Sequence, residues 1–256
     1  FGGPAETHVA AVQAGVLEPY TSPSAAGIPT TAKDPQGMWL GMARDPLVFM
    51  TNTNFLKQHG LKPPSSWADL LTPAYKGQIQ FASPQTSGTG VARVATLVLL
   101  MGEDKAFEYM KALDKNVAVY TEHGAGGAIP IATGQAATGT FFIVDALDIQ
   151  DKGYPVVITF PQEGTSDTVE AIALIKGAKH PDQAKRLIDW AVSDKMQSLY
   201  ATLRINFLPT STRVEVPASV KLTLKRAKVI NYDLQWVGQN RKRLVDRFVK
   251  EILSGR

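Results

Sequence analysis

Two hydrophobic periods alternate along this chain, one suited to strands and the other to helices. Glu6–Ala14 has helical spacing and ends at Gly15, a residue suited to a left-handed helix stop. Gly37–Thr51 reads as two short strands joined by a turn at Arg44-Asp45-Pro46. Trp67–Leu71 is predicted as a helical turn capped by Ser65 or Ser66, and Gln78–Ala82 as an apolar strand. Gly88–Met101 and Asp104–Leu113 are predicted helices divided by Gly102. A strand at Val117–Tyr120, a short helix at Ala128–Thr133 and a strand at Ala137–Ile143 follow. Val156–Phe160 and Glu170–Ile175 add strands, and Asp182–Val192, Lys195–Leu203, Val220–Ala227 and Gln239–Leu253 add helices. This alternation predicts an α/β fold. No repeat, low-complexity tract or Gly/Ser/Pro-rich tether separates the halves, so two lobes would be joined by strands passing between them.

Composition narrows the chemistry. The 256 residues include no cysteine and four histidines, which excludes disulfide scaffolds, thiolate metal sites and cysteine nucleophiles. Twenty-seven basic against 23 acidic side chains give a net charge of +4, a mild excess that suits a small anionic ligand and does not require nucleic acid. The longest apolar run, near Val91–Met101, is interrupted by Arg93 and is too short to span a bilayer. The chain opens on Phe1-Gly2-Gly3-Pro4 without Met or a charged leader, and is read as lacking an upstream segment.

The most informative stretch is Ser83-Pro84-Gln85-Thr86-Ser87-Gly88-Thr89-Gly90, between a strand and a long helix. Bare backbone at Gly88 and Gly90, the positive helix end and the hydroxyls of Thr86, Ser87 and Thr89 together suit an anion. The same residues also suit a simple helix cap, and both readings stay open. A second glycine cluster, His123-Gly124-Ala125-Gly126-Gly127-Ala128, precedes another helix start and reads as a second anion-competent mouth or as a plain loop. Asp145 and Glu163 each follow a strand, where ligands of α/β sheets usually bind. Either is also compatible with a solvated surface carboxylate. No nucleophile elbow, zinc helix, dinucleotide fingerprint or Walker loop is present. The basic C-terminal helix, with Arg241, Lys242, Arg243, Arg247 and Lys250, reads as a solvated face.

The order of several segments resembles the periplasmic solute-binding proteins of ABC importers, in the ferric-ion-binding-like branch that also holds organophosphate and phosphonate binders. The resemblance rests on Gln13–Tyr20, on Ser66–Leu71 with Tyr75-Lys76-Gly77, on Pro84–Gly90, and on Ile175–Ala178 with Pro181–Trp190. It implies a two-lobed type II periplasmic binding fold whose first strand-helix-strand unit and signal peptide would precede Phe1. The expected lobes are residues 1–50 plus 163–208 and 51–162 plus 209–256, with hinge strands near 48–53 and 158–165.

Within that resemblance, ferric binders carry two adjacent tyrosines after the strand leading here to Val144-Asp145, and a glutamate where this chain has Gly3. Neither is present, so the expectation moves from iron to a phosphoryl ligand such as 2-aminoethylphosphonate. The expected ligand residues are Ser87, Gly88, Thr89, Thr86, Asp145, Gly2, Gly3, Ala125, Gly126 and Glu163. No cofactor, metal or catalysis is expected. The expected partners are a small anionic or zwitterionic ligand and an inner-membrane permease, with a monomeric periplasmic protein and no nucleic acid. Two other functions stay open: an iron-transport protein with an atypical site, and the sensing domain of a signalling receptor. An enzyme would need a nucleophile or metal cluster that the residues do not supply.

Overall fold

The computed structural model describes residues 2–203, 205–216 and 224–255. In chain order the principal elements are α1 (Ala5–Gln13), β1 (Leu17–Glu18), β2 (Leu40–Asn52), α2 (Thr53–His59), β3 (Ile79–Ala82), α3 (Gly88–Met101), α4 (Glu103–Asp114) and β4 (Val117–Thr121). They continue with α5 (Ala128–Ala132), β5 (Thr138–Phe142), α6 (Ile143–Asp151), β6 (Val156–Thr159), β7 (Asp167–Ile172) and β8 (Leu174–Ile175). The last are α7 (Pro181–Ala191), α8 (Asp194–Thr202), β9 (Leu208–Pro209) and α9 (Leu234–Glu251). The first half of the helix expected over Val220–Ala227 lies outside the described residues.

The chain divides into two compact units, one of Phe1–Asp45, Thr168–Leu224 and Asp233–Arg241, the other of Pro46–Asp167, Lys225–Tyr232 and Lys242–Arg256. It passes between them along β2 and β7, at Asp45–Pro46 and Asp167–Thr168. In the first unit, Trp39, Met42, Val169, Ile172, Leu174 and Ile188 form the centre of the apolar core. The N-terminal residues run antiparallel beside β7: Gly2 N–H donates to Ala171 O (3.1 Å) and Ala171 N–H to Gly3 O (3.0 Å).

The second unit is built on strands ordered β4-β3-β5-β2-β6. β3 runs parallel to both β4 and β5, whereas β2 is antiparallel to β5 and β6. Its core includes Phe49, Trp67, Leu70, Ile79, Leu97, Phe107 and Phe141, with Trp67 edge-on to Phe49 at 4.9 Å. A buried aromatic pair in this geometry adds about 1 kcal/mol beyond area burial.

Two expectations need correction. β2 is one continuous strand, and Arg44-Asp45-Pro46 makes no turn. Pro46 falls between the residues paired with β9 (Ala43, Arg44) and those paired with β5 (Leu47 onward), a break in the pairing where a proline is tolerated. The second concerns the apolar run after Thr138: the strand stops at Phe142 and α6 begins directly at Ile143.

Candidate functional site

Parallel pairing of β3 with β4 and β5 sends the carboxyl ends of all three strands to one edge, and each leads into a helix. Such an edge is where α/β sheets bind ligands. β3 leads to α3, and Ser87 occupies its N-cap position in an extended conformation. Its hydroxyl makes no bond to the helix's own amides, so the expected capping role is not the one it plays. Ser87 N–H donates to Ser83 O (3.0 Å), closing the preceding turn. The amides of Gly88, Thr89 and Gly90 precede the first i→i−4 bond, made by Val91 N–H to Ser87 O, so helix geometry leaves them unpaired within α3.

The second glycine cluster folds onto this mouth. Thr86 Oγ1 donates to Glu122 O (2.8 Å), Ser83 N–H donates to Thr121 O (2.9 Å), and Thr121 Oγ1 donates to His123 O (2.8 Å). Gly124 lies against Thr89 and Ser87, Gly126 against Thr121, and Gly127 against Gln80; a Cβ at any of these positions would collide or press tightly. These glycines are therefore needed for close approach. The helix that follows, α5, has only five residues, too short for a useful macrodipole, so this segment supports the α3 mouth and forms no second one. Ala125 and Gly126 stay exposed on the loop, where Gly126 N–H closes a turn to His123 O (3.1 Å).

Asp145 stands in the first turn of α6, three residues past the end of β5, and not at a strand end as its sequence context predicts. Phe142 is the extended N-cap, and apolar Ile143 and Val144 continue the strand-like run without a polar break. The signal available was the buried spacing of Ile143, Ala146 and Ile149, which is helical. Asp145 is half-buried, and desolvation, helped by the neighbouring Asp148 charge, pushes its carboxyl up to about 6. A carboxylate in that state gains from a cationic or hydrogen-bond-donating partner.

Glu163 accepts Trp67 N–H through both oxygens (3.1 and 3.3 Å), which fixes the 3-10 turn Ala68–Leu71. Gly2 and Gly3, in the first unit, have φ of +80° and +88°, which glycine tolerates without strain, and flank the N-terminus of α1. Sequence reasoning did not single out Arg93 beside this edge: it is 2% exposed on α3, and its guanidinium donates to Ala82 O (3.1 Å) at the end of β3. An arginine inside an otherwise apolar helix was the signal.

The chain is a two-unit α/β protein whose parallel strands lead into helices at one sheet edge. Residues 6–240 match the family described as Bacterial extracellular solute-binding protein, and the chain belongs to it. It is 32% identical over 265 residues to an uncharacterized protein of Haemophilus influenzae, covering 98% of this chain and 75% of that one. The periplasmic binding protein AfuA of Actinobacillus pleuropneumoniae, solved with exogenous fructose-6-phosphate bound, superposes with a TM-score of 0.92 at 35% identity, covering 99% of this chain and 82% of AfuA. The periplasmic binding protein P5PA gives a TM-score of 0.91 at 31% identity, over 98% of this chain and 82% of its own. The fold is thus the two-lobed periplasmic binding type expected from the sequence. Among the described residues no helix is long and apolar enough to cross a membrane.

Proposed function

We propose that this chain is the periplasmic capture component of an ABC importer and that its solute is a small phosphorylated compound, with a sugar phosphate as the first candidate. The observation that carries the reading is the α3 mouth. There, three first-turn amides and the buried hydroxyl-bearing residues Ser87 and Thr89 meet the Gly124 loop at the ligand edge of the sheet. Phosphoryl oxygens match that donor array, because amide and hydroxyl bonds to an anion are charge-assisted. AfuA, with its bound fructose-6-phosphate, supports the same class of ligand. Binding followed by delivery to a membrane permease, without catalysis, is the role that follows. Asp145 favours a second ligand, 2-aminoethylphosphonate, since a half-buried carboxylate would be stabilised by an ammonium group.

Isothermal titration at pH 7.5 with fructose 6-phosphate, 2-aminoethylphosphonate, 3-phosphoglycerate and fructose tests the proposal. A phosphorylated member should bind in the micromolar range or tighter and fructose should not bind. A saturating ligand at about 100 times Kd should stabilise the fold by about 2.7 kcal/mol. Absence of heat and of thermal shift with every phosphorylated compound at millimolar concentration would overturn the reading, and binding of ferric citrate alone would return it to iron.

A further inference from the structure

Arg93 is a buried cation that the binding scheme above does not use. It lies five residues into α3, and side chains on a helix lean towards its N-terminus, here towards the anion mouth. The guanidinium carbon stands 4.2 Å from the centre of the Phe81 ring, with Tyr120 and Phe248 at 5.8 and 5.9 Å. Nη1 holds the carbonyl of Ala82, the residue joined directly to Ser83. Ser83 and Pro84 in turn press against the first turn of α3: a Cβ on Gly90 would come within 2.5–2.6 Å of Ser83 C, Ser83 O and Pro84 N. Arg93 therefore grips the strand end whose next two residues shape the mouth.

Its charge rests on aromatic faces and the Ala82 carbonyl. Among the described residues no carboxylate lies within ion-pair distance, and the groups that act on it electrostatically are the Tyr120 and Tyr109 hydroxyls. Burial lowers its pKa from 12.5 to about 10, which leaves it protonated at neutral pH. Burying a charge with no carboxylate beside it is costly; the ring faces and the Ala82 carbonyl offset part of that cost, and an arriving anion would offset more. The guanidinium and the first turn of α3 both border the Ala82–Pro84 strand end, so an anion at the mouth would be attracted by both.

We propose that Arg93 is a positioning residue for anion capture. It holds Ala82 and the Ser83 turn in place and supplies a buried positive charge behind the α3 mouth, without touching the ligand. The inference rests on the phosphorylated-solute reading and concerns how the same site selects charge. It predicts that the site prefers a dianionic phosphate ester to a singly charged sulfate ester, and that much of this preference comes from Arg93.

The test compares fructose 6-phosphate with fructose 6-sulfate at pH 7.5 on wild type, Arg93→Lys and Arg93→Met, with folding checked by circular dichroism. In wild type the phosphate should bind at least tenfold tighter than the sulfate. Arg93→Met should lose at least tenfold in phosphate affinity and most of the preference. Arg93→Lys, which keeps the charge, should hold the phosphate-to-sulfate ratio within threefold of wild type. Equal weakening of both esters in Arg93→Met would reduce Arg93 to a scaffold residue and overturn the charge role; unchanged binding in a folded Arg93→Met would overturn the proposal entirely. Should Arg93→Met fail to fold, the arginine side-chain NMR signals of wild type decide. Adding fructose 6-phosphate should shift the Arg93 Nε–H signal by more than about 0.1 ppm while that of Arg186, in the other unit, stays fixed, and a stationary Arg93 signal would refute the proposal. If wild type binds neither ester, the phosphorylated-solute reading fails first.

Discussion

Gly124 packs directly on Thr89: a methyl group at position 124 would overlap Thr89 Oγ1 and approach its Cβ to 3.3 Å and Ser87 Oγ to 3.5 Å. The contact joins the loop after β4 to the mouth of α3, so the two glycine segments form one structure. Gly124→Ala should therefore act on binding more than on folding. The atom in its path is a side-chain hydroxyl that can rotate away, which limits the stability loss to about 1 kcal/mol. Rotation would move the proposed phosphate donor, and affinity for a phosphorylated ligand should drop at least tenfold. Calorimetric titration beside thermal melting separates the two effects; a melting loss with unchanged affinity would mean that the Thr89 hydroxyl is not a donor.

Asp145 gives the protein a pH signature. Its carboxyl pKa is raised from 3.8 to about 6, first by burial and then by Asp148. A carboxyl with a raised folded pKa destabilises the fold once ionised, so the penalty is absent below about pH 4, develops between pH 4 and 6, and is complete above. A rise of that size corresponds to about 3 kcal/mol at most, and solvent screening of a half-buried group brings the expected value to roughly 1–2 kcal/mol. Asp145→Asn should stabilise the empty protein by that amount at pH 8 and leave it unchanged at pH 3.5. The same variant should weaken binding of an amine-bearing phosphonate more than that of inorganic phosphate. Denaturant melts at the two pH values provide the check, and equal stability of both proteins at pH 8 would show that the carboxylate is not strained.

Glu163 makes the opposite prediction. Both of its oxygens take the Trp67 amide, and Trp67 Nε1 donates to Gly164 O (3.3 Å), so the 161–164 loop and the Trp67 turn are fastened together. Glu163→Ala should cost about 1 kcal/mol of stability, the usual loss for a helix-start cap, and change ligand affinity less than threefold. A tenfold affinity loss without destabilisation would assign Glu163 to the ligand site.

Much of this was legible in the chain because glycines punctuate it. Gly88 and Gly102 bracket α3, whose Val91–Met101 stretch is apolar apart from Arg93 and Thr96, and the predicted helix matches the observed one residue for residue. The α6 boundary was hidden because Phe142, Ile143 and Val144 are equally at home in a strand or a buried helix, and only three-dimensional packing decides between them. Pro46 suggested a turn because its local preference is visible in sequence, whereas the change of strand partners that accommodates it is not. Side-chain direction was also out of reach: Ser87 was legible as an N-cap by position, but that its hydroxyl leaves the helix amides unbonded is a property of the folded loop. Glu163 shows the same limit, since its Trp67 partner lies 96 residues away.

The last prediction concerns the C-terminal basic helix, read from sequence as a solvated face. In α9, Arg243 donates to both oxygens of Glu103 at the start of α4, and Arg247 reaches Glu103 (2.9 Å), Asp104 (3.0 Å) and Glu251 (2.7 Å). Arg247 also covers the Phe107 ring at 4.2 Å, so its guanidinium packs as well as pairs. The bond from Arg243, with help from Arg247, holds the Glu103 carboxyl below its ordinary value. A carboxyl with a depressed folded pKa contributes stability above its unfolded pKa and loses it as pH falls through the folded one. Isolated exposed pairs contribute little, but a network with an aromatic floor contributes more. Arg247→Ala should cost about 1–2 kcal/mol at pH 7, through both lost packing and lost charge. Arg243→Ala, which removes the paired charge on Glu103, should cost about 0.5–1 kcal/mol. The charge portion should shrink in 1 M salt and below about pH 4, while the packing portion of Arg247 should persist under both conditions. Urea melts of the two variants at low and high salt separate the portions, and a cost for Arg247→Ala that vanishes entirely in salt would show that the Phe107 contact adds nothing.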